Sequence, residues 1–200
     1  HGIEPEFKPP ADQARDRRKL AKAEIPDEKI TKDWVSVDLD RDDALGVRDW
    51  KLYQSRRAAQ NTFQAVKLPP NPQGDLGADA RVWAYTKSLP NVPSPLYYQG
   101  VLYLLKEGGI FTSINPADGS VIKQGRLTGA LSQYFSSPVG ADGKIYVNSE
   151  AGNSVVLKAA GDWEILHVND LGEPIYATPA LSEGNIYIRT DSALYRFGSQ

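Results

Sequence analysis

The residues with the clearest capacity for chemistry are carboxylates in one short segment, Asp38-Leu39-Asp40-Arg41-Asp42-Asp43-Ala44-Leu45-Gly46-Val47-Arg48-Asp49. Four of these aspartates occupy positions 1, 3, 5 and 12 of a twelve-residue loop, and Ala44 at position 7 offers its backbone carbonyl. Oxygen ligands at this spacing surround a hard divalent cation, and Ca²⁺ is the cation that such sets bind. The sequence therefore predicts a metal site formed by Asp38, Asp40, Asp42, Ala44 and Asp49.

The residues that flank this loop agree with two helices, one entering it and one leaving it. Trp34 and Val37 lie four residues and one residue before the loop, and Trp50 and Tyr53 lie one and four residues after it. Side chains at these spacings share one face of a helix, so the two helices can pack together. The segment resembles a single EF-hand, and this resemblance implies Ca²⁺ as its ligand.

Two positions depart from the EF-hand pattern. Position 6 is Asp43 rather than Gly, and Asp adopts a left-handed backbone less easily than Gly does. Position 12 is Asp49 rather than Glu, and its shorter side chain reaches a metal with both oxygens less easily. An alternative interpretation is an acidic capping loop in which Asp49 is the N-cap of the following helix.

Residues for other common catalytic mechanisms are scarce. The 200 residues contain no Cys and only two histidines, of which His167 lies in a strand-like run and is interpreted as structural. The sequence therefore contains almost none of the residues that Ser-His-Asp and Cys-His mechanisms require. The net charge of −2 gives no indication of a nucleic-acid partner. No apolar run approaches the roughly 18 to 20 residues that a membrane span needs.

The elements that would position these residues fall into two regions of different composition. Residues 1–68 contain 27 of the 48 charged residues and are predicted to be helical. Residues 69–80 begin with Pro69-Pro70-Asn71-Pro72 and are predicted to form a stiff linker. The hydrophobic spacing predicts helices that begin after Pro10, near Thr31 and near Trp50, the last one continuing to Val66.

The third region, residues 81–200, contains three copies of one motif. Ser94-Pro95, Ser137-Pro138 and Thr178-Pro179 are each followed by a Gly five residues after the Pro and a Tyr three residues after that Gly. The prolines are 43 and then 41 residues apart. This period is close to the ~40 to 45 residues of a four-stranded propeller blade. Because one blade cannot cover its own apolar faces, the copies are expected to stack.

These copies resemble the pyrroloquinoline-quinone-like (PQQ-like) β-propeller repeat, a likeness that covers about residues 81–200. It rests on the Ser-Pro and Gly-x-Ile/Leu-Tyr patterns and on Ile114-Asn115-Pro116-Ala117-Asp118-Gly119. It implies a mainly β fold, a partial β-propeller of about three four-stranded antiparallel blades with an N-terminal α-helical appendage. The family includes bacterial quinoprotein dehydrogenases and non-enzymatic outer-membrane-assembly lipoproteins, which implies an extracytoplasmic location, periplasmic or secreted.

The strands counted from the sequence are too few for a closed ring. One fourth strand near residues 81–88, two complete blades and three further strands make about three blades, whereas propellers typically have 4 to 8. We therefore expect the C-terminal part of a larger propeller, or a ring completed by a second copy. The strand that contains Trp83 is expected to pair with the unpaired end of a last blade near Leu194, either in the same chain or in a partner.

Two functions are compatible with this sequence. The first is a non-catalytic scaffold whose loops or blade edges bind a protein or a cell-surface ligand, with a helical region stabilised by Ca²⁺. The alternative is part of a PQQ-dependent oxidoreductase whose cofactor site lies mostly outside this chain. The resemblance implies for such an enzyme a docking motif that ends in Gly-x-x-x-Trp, whereas this chain has Gly119-Ser120-Val121-Ile122-Lys123. We therefore favour the scaffold and expect neither catalytic residues nor PQQ in this chain.

The predicted metal site has a direct consequence for thermal stability. A ligand that binds only the folded state stabilises that state, so EDTA is expected to lower the melting temperature and added Ca²⁺ to restore it. Thermal unfolding followed by circular dichroism measures the difference. Asp38→Ala is expected to abolish the response to Ca²⁺, and an unchanged response in this variant would mean that the metal acts elsewhere.

Overall fold

The computed structural model describes residues 61–198 continuously and, of the residues before them, Arg15–Asp16, Ala44–Leu45, Leu52, Ser55 and residues 58–59. The chain divides into two compact units, His1–Gln60 and Asn61–Gln200. The predicted metal ligands other than Ala44 lie outside the described residues, as do most of the predicted helices.

The first unit contains one described pair of short strands. Strand β1 (Arg15–Asp16) pairs antiparallel with β2 (Ala44–Leu45). The described residues Leu52, Ser55 and Ala58 are helical. They lie in the segment for which the sequence predicts the third helix.

The second unit consists of antiparallel sheets that follow one another along the chain. A half-blade comes first and consists of two paired strands, β3 (Phe63–Val66) and β4 (Arg81–Tyr85). A 3-10 turn, Ala78–Ala80, lies directly before β4. Blade 1 has four strands, β5 (Leu96–Tyr98), β6 (Val101–Lys106), β7 (Ile110–Ile114) and β8 (Val121–Arg126). Blade 2 has four, β9 (Val139–Ala141), β10 (Lys144–Asn148), β11 (Asn153–Lys158) and β12 (Ile165–Asp170). Blade 3 has three, β13 (Ala180–Ser182), β14 (Asn185–Arg189) and β15 (Leu194–Phe197).

The three sequence repeats occupy equivalent places in the three blades. The repeat tyrosine always lies in the second strand and faces the first, in the register Leu96↔Tyr103, Val139↔Tyr146 and Ala180↔Tyr187. Within each blade, every strand pairs with its neighbour in chain order. This repeated meander confirms the mainly β fold and the partial propeller of four-stranded antiparallel blades.

The first turn of each blade explains why Gly has the same position in each copy of the motif. The turns contain two residues with positive φ, Gln99 and Gly100 in blade 1 (φ 49° and 78°), and the pairs Asp142–Gly143 and Glu183–Gly184 repeat this geometry. A two-residue turn with positive φ at both positions matches the right-handed twist of the strands it joins. The Gly of the motif therefore occupies the second turn position, where a side chain would be strained.

The interface between blades 1 and 2 contains a large buried cluster around Trp163, which lies in the β11–β12 turn and is 3% exposed. Its ring meets Phe111 edge-on, with centroids 5.2 Å apart, and Phe111 stacks on Tyr103 at 5.7 Å. Gly125 of β8 leaves room for the indole, because a Cβ there would lie 3.1 Å from Trp163 Cη2. The Lys123 ammonium lies over the indole, with Nζ 4.5 Å from the Trp163 ring centroid. One tryptophan thus links the two blades.

Hydrogen bonds between equivalent residues also connect successive blades. The Ser94 N–H donates to the Ser137 hydroxyl at 2.9 Å, and the Ser137 N–H donates to the Thr178 hydroxyl at 2.9 Å. The Ser or Thr that precedes the repeat proline therefore satisfies a backbone donor of the blade before it. This contact gives the Ser/Thr-Pro pair of the motif a physical reason.

The structure corrects the predicted third helix at its C-terminal end. Phe63–Val66 form strand β3 rather than helix, because the segment pairs with β4 and the Phe63 ring packs on Trp83 with centroids 5.6 Å apart. Strand β4 consequently pairs with β3. The sequence predicted that it pairs with the end of the last blade near Leu194, and within the described residues of this chain that pairing does not occur. Pairing with the last blade of a partner stays a prediction. The Pro-rich residues 69–80 lie between β3 and β4. Tertiary pairing outweighs local helix propensity here.

The half-blade contacts blade 1 where the Trp83 side chain packs on the β7–β8 turn. Trp83 Nε1 donates to the Pro116 carbonyl at 2.9 Å, and its ring lies over Gly119. A Cβ at Gly119 would lie 2.7 Å from the Trp83 ring. This close approach and the positive φ of Gly119 together require glycine.

Gly119→Ala and Gly100→Ala separate the effect of the positive φ from the effect of the close contact with Trp83. Both glycines have a positive φ (74° and 78°), but a Cβ at Gly100 would have no neighbour within 4 Å. We expect Gly119→Ala to lower the free energy of unfolding by about 1 to 3 kcal/mol more than Gly100→Ala does, because only Gly119 is overpacked against Trp83. Urea unfolding measures both values. Equal losses would show that Trp83 does not pack against this turn.

Candidate binding face

One edge of the blades brings together two kinds of loop. Because each blade is an up-and-down meander, the turn between its second and third strands lies at the same end as the connection to the next blade. We call this end the loop face. It comprises the inter-blade segments and the turns, namely residues 86–95, 107–109, 127–138, 149–152, 171–179 and 190–193.

Backbone hydrogen bonds fix each turn of the loop face to an inter-blade segment. The Glu150 N–H donates to the Gln133 carbonyl at 2.9 Å, and the Asp191 N–H makes the equivalent bond to Pro174 at 3.0 Å. These bonds satisfy donors that would otherwise lack a strand partner. The loops are therefore held in one arrangement by the blades beneath them.

A row of apolar side chains is exposed on this face at one repeat position. Val92, Phe135 and Tyr176 each lie two residues before the Ser or Thr of the motif, and they are 58%, 38% and 51% exposed. The neighbouring Tyr134 and Ile175 are buried. In segments 127–138 and 171–179, a side chain that anchors the loop in the core is therefore followed by one that is exposed to solvent.

Carboxylates occupy a second repeat position on the same face. Glu107, Glu150 and Asp191 each lie four residues after the repeat tyrosine. Glu107 accepts a hydrogen bond from the Asn91 side chain at 3.0 Å and lies 3.8 Å from the Lys106 ammonium. Glu150 instead accepts a hydrogen bond from the Tyr176 hydroxyl at 3.2 Å. The same position thus has a different chemical setting in blades 1 and 2.

Tyr176 is the residue at which these two rows meet. Its ring lies beside Phe135, with centroids 5.6 Å apart and an interplanar angle of 42°. The pKa of Tyr176 is raised, first by the hydrogen bond to Glu150, then by the charge of Glu150, and to a lesser extent by the charge of Asp191. We call Phe135, Glu150, Tyr176 and Asp191 the Tyr176 cluster.

Glu173 fixes the turn of blade 3 beside this cluster. Its carboxylate accepts hydrogen bonds from the Thr190 hydroxyl at 2.6 Å and the Ser192 hydroxyl at 2.7 Å. These bonds, that of Thr190 first, lower the pKa of Glu173. Glu173 therefore has a structural role and holds Asp191 in place.

The predicted metal site lies outside the described residues except at Ala44. Asp38, Asp40, Asp42 and Asp49 lie outside the described residues, and Ala44 lies in strand β2. Among the described residues, no three His, Cys, Asp or Glu side chains form a group that could hold a metal ion. The loop face was not predicted from the sequence, although the exposed row recurs at the 43- and 41-residue period of the prolines.

A quinone cofactor would need a free aromatic surface and a nearby metal. Trp83 and Trp163 are both buried, at 9% and 3% exposure, and both pack between sheets. Neither indole face is therefore available for stacking on a quinone.

Comparisons with known proteins give only distant similarities. No protein-family model matches the chain, and no curated protein sequence is significantly similar to it. BamB from Moraxella catarrhalis is 15% identical, with a TM-score of 0.49, over 60% of this chain and 37% of its own. The quinohemoprotein alcohol dehydrogenase ADHIIG from Pseudomonas putida HK5 is 17% identical, with a TM-score of 0.48, over 58% of this chain and 20% of its own. The quinohemoprotein alcohol dehydrogenase from Comamonas testosteroni has 17% identity and a TM-score of 0.42, over 51% of this chain and 17% of its own.

The chain therefore spans well under half the length of each of these structures. Similarity at this level assigns no activity. In the part of the chain that the structure describes, no helix is long and apolar enough to cross a membrane.

Proposed function

We propose that this chain is a non-catalytic binding scaffold, a partial propeller that presents its loop face to a partner protein. The observation that carries the proposal is the row of exposed side chains at one repeat position, Val92, Phe135 and Tyr176. Exposed aromatic side chains such as Phe135 and Tyr176 provide large contact areas when a partner covers them.

The order of the loops supports the same function. Backbone hydrogen bonds fix the segments 127–138 and 171–179, and in each of them a buried side chain lies next to the exposed one. A surface that is ordered before binding loses less conformational entropy when a partner arrives. The blades therefore serve as a framework, and the loop face provides the contact.

We also propose that the open blade edges are completed by the remainder of a propeller or by a second copy. Strand β15 pairs only with β14, and β3 pairs only with β4, within the described residues. A groove of about 510 Å³ lies between blades 2 and 3 and is lined by residues that include Val156, Tyr195 and Phe197. Unpaired backbone groups and exposed apolar side chains at such an edge favour the addition of a strand.

The Ca²⁺ loop and the extracytoplasmic location remain part of the proposal. Asp38, Asp40, Asp42, Ala44 and Asp49 are proposed to bind Ca²⁺, and the pairing of Ala44–Leu45 with β1 supports an extended backbone at loop positions 7 and 8. The location rests on the resemblance of the repeat to that of extracytoplasmic bacterial proteins.

A search for quinone-dependent turnover tests the scaffold proposal. We expect the chain, incubated with PQQ and Ca²⁺ and then desalted, to retain no quinone absorbance and to reduce no dye with alcohols or sugars, because Trp83 and Trp163 are both occupied in blade packing. Absorbance spectra and a dye-reduction assay provide the two measurements. Retained quinone together with turnover of a substrate would contradict the scaffold function and favour an oxidoreductase.

A further inference from the structure

We propose that the Tyr176 cluster is a recognition site for an arginine or lysine side chain in an extended segment of the partner protein. This inference rests on the proposed binding function and names the chemistry of the partner. It is carried by the exposed aromatic pair and by the unequal settings of the repeated carboxylates.

The aromatic pair provides a surface on which a cation can lie. Phe135 and Tyr176 are 38% and 51% exposed, and their ring centroids are 5.6 Å apart. A guanidinium or ammonium group over such a ring is attracted by the negative face of its π-system. The hydrogen bond from the Tyr176 hydroxyl to Glu150 fixes the position of the ring.

The charges around the pair select a cation over an anion. Glu150 lies within hydrogen-bonding distance of Tyr176, and the Asp191 N–H donates to the carbonyl of Pro174, two residues before Tyr176. Neither carboxylate forms a salt bridge with another described residue, whereas Glu107 at the equivalent position in blade 1 pairs with Lys106. Among the described residues, the carboxylate of blade 1 therefore has a cation beside it, whereas the carboxylates of blades 2 and 3 have none.

The chemistry of the cluster also distinguishes an organic cation from a metal ion. Among the described residues, no group of three or more His, Cys, Asp and Glu side chains could hold a metal. Two carboxylates beside two aromatic rings instead match a cation that is broad, weakly hydrated and able to stack, as a guanidinium is. An extended peptide that carries arginine satisfies both the rings and the carboxylates.

Peptide binding to the full 200-residue chain tests this assignment. The probe is a fluorescein-labelled peptide with three arginines separated by glycines, and a second peptide carries glutamine in place of arginine. Fluorescence anisotropy is measured at an ionic strength of about 0.1 M, where the Debye length is about 10 Å and distant charges are screened. We expect the arginine peptide to bind and the glutamine peptide to bind at least about fivefold more weakly.

Variants locate the binding on the surface. Glu150→Gln and Tyr176→Leu are each expected to weaken binding of the arginine peptide about two- to fivefold, whereas Tyr176→Phe keeps the ring and retains most of the affinity. The matched control is Glu107→Gln, which removes a carboxylate from the equivalent turn and is expected to leave binding unchanged. Circular dichroism and the melting temperature check that each variant is folded.

Three results would overturn the assignment. They are the absence of arginine-peptide binding, equal binding of the glutamine peptide, and equal weakening by Glu107→Gln and Glu150→Gln, which would indicate general attraction between charges. None of these results bears on quinone turnover, so the scaffold function stands or fails separately. Conversely, turnover with PQQ would overturn the scaffold function whatever the peptides do.

Discussion

The contact on which this structure depends is the burial of one blade's apolar face against the next blade. At the described interface of blades 1 and 2, Trp163 enters a slot between Phe111 and Gly125, and Lys123 covers its ring. A four-stranded antiparallel meander has two apolar faces and no means of covering either by itself. The loop face exists only because these contacts hold successive blades in register, so that equivalent loops lie at the same end.

Much of this architecture could be predicted from the spacing of a few residues. The Gly of the motif requires a turn with positive φ, and the Ser or Thr before the proline provides a hydroxyl for the preceding blade's N–H. Both effects are local or act between equivalent positions, so they recur at the period of the repeat. For this reason the strands that contain Tyr103, Tyr146 and Tyr187 were predicted correctly.

Other features depend on contacts between segments that no periodic pattern connects. The end of the predicted third helix forms strand β3, because this segment pairs with β4 and Phe63 packs against Trp83, which lies beyond a long loop. The Tyr176 cluster likewise combines residues from four different loops, and the distances between these residues cannot be read from the sequence. The repeat position of Val92, Phe135 and Tyr176 was visible in the sequence, but their exposure follows only from the burial of Tyr134 and Ile175 beside them.

Native-state hydrogen exchange of Trp163→Ala tests the mutual support of the blades most directly. The amides of β6 and β7 in blade 1 and of β10 and β11 in blade 2 report the opening free energy on each side of the interface. Removing the indole is expected to lower the opening free energies of both blades together by about 3 to 5 kcal/mol, because each blade loses the surface that covers it. Full protection retained in blade 1 while blade 2 alone opens would contradict the account, since each blade would then be stable by itself.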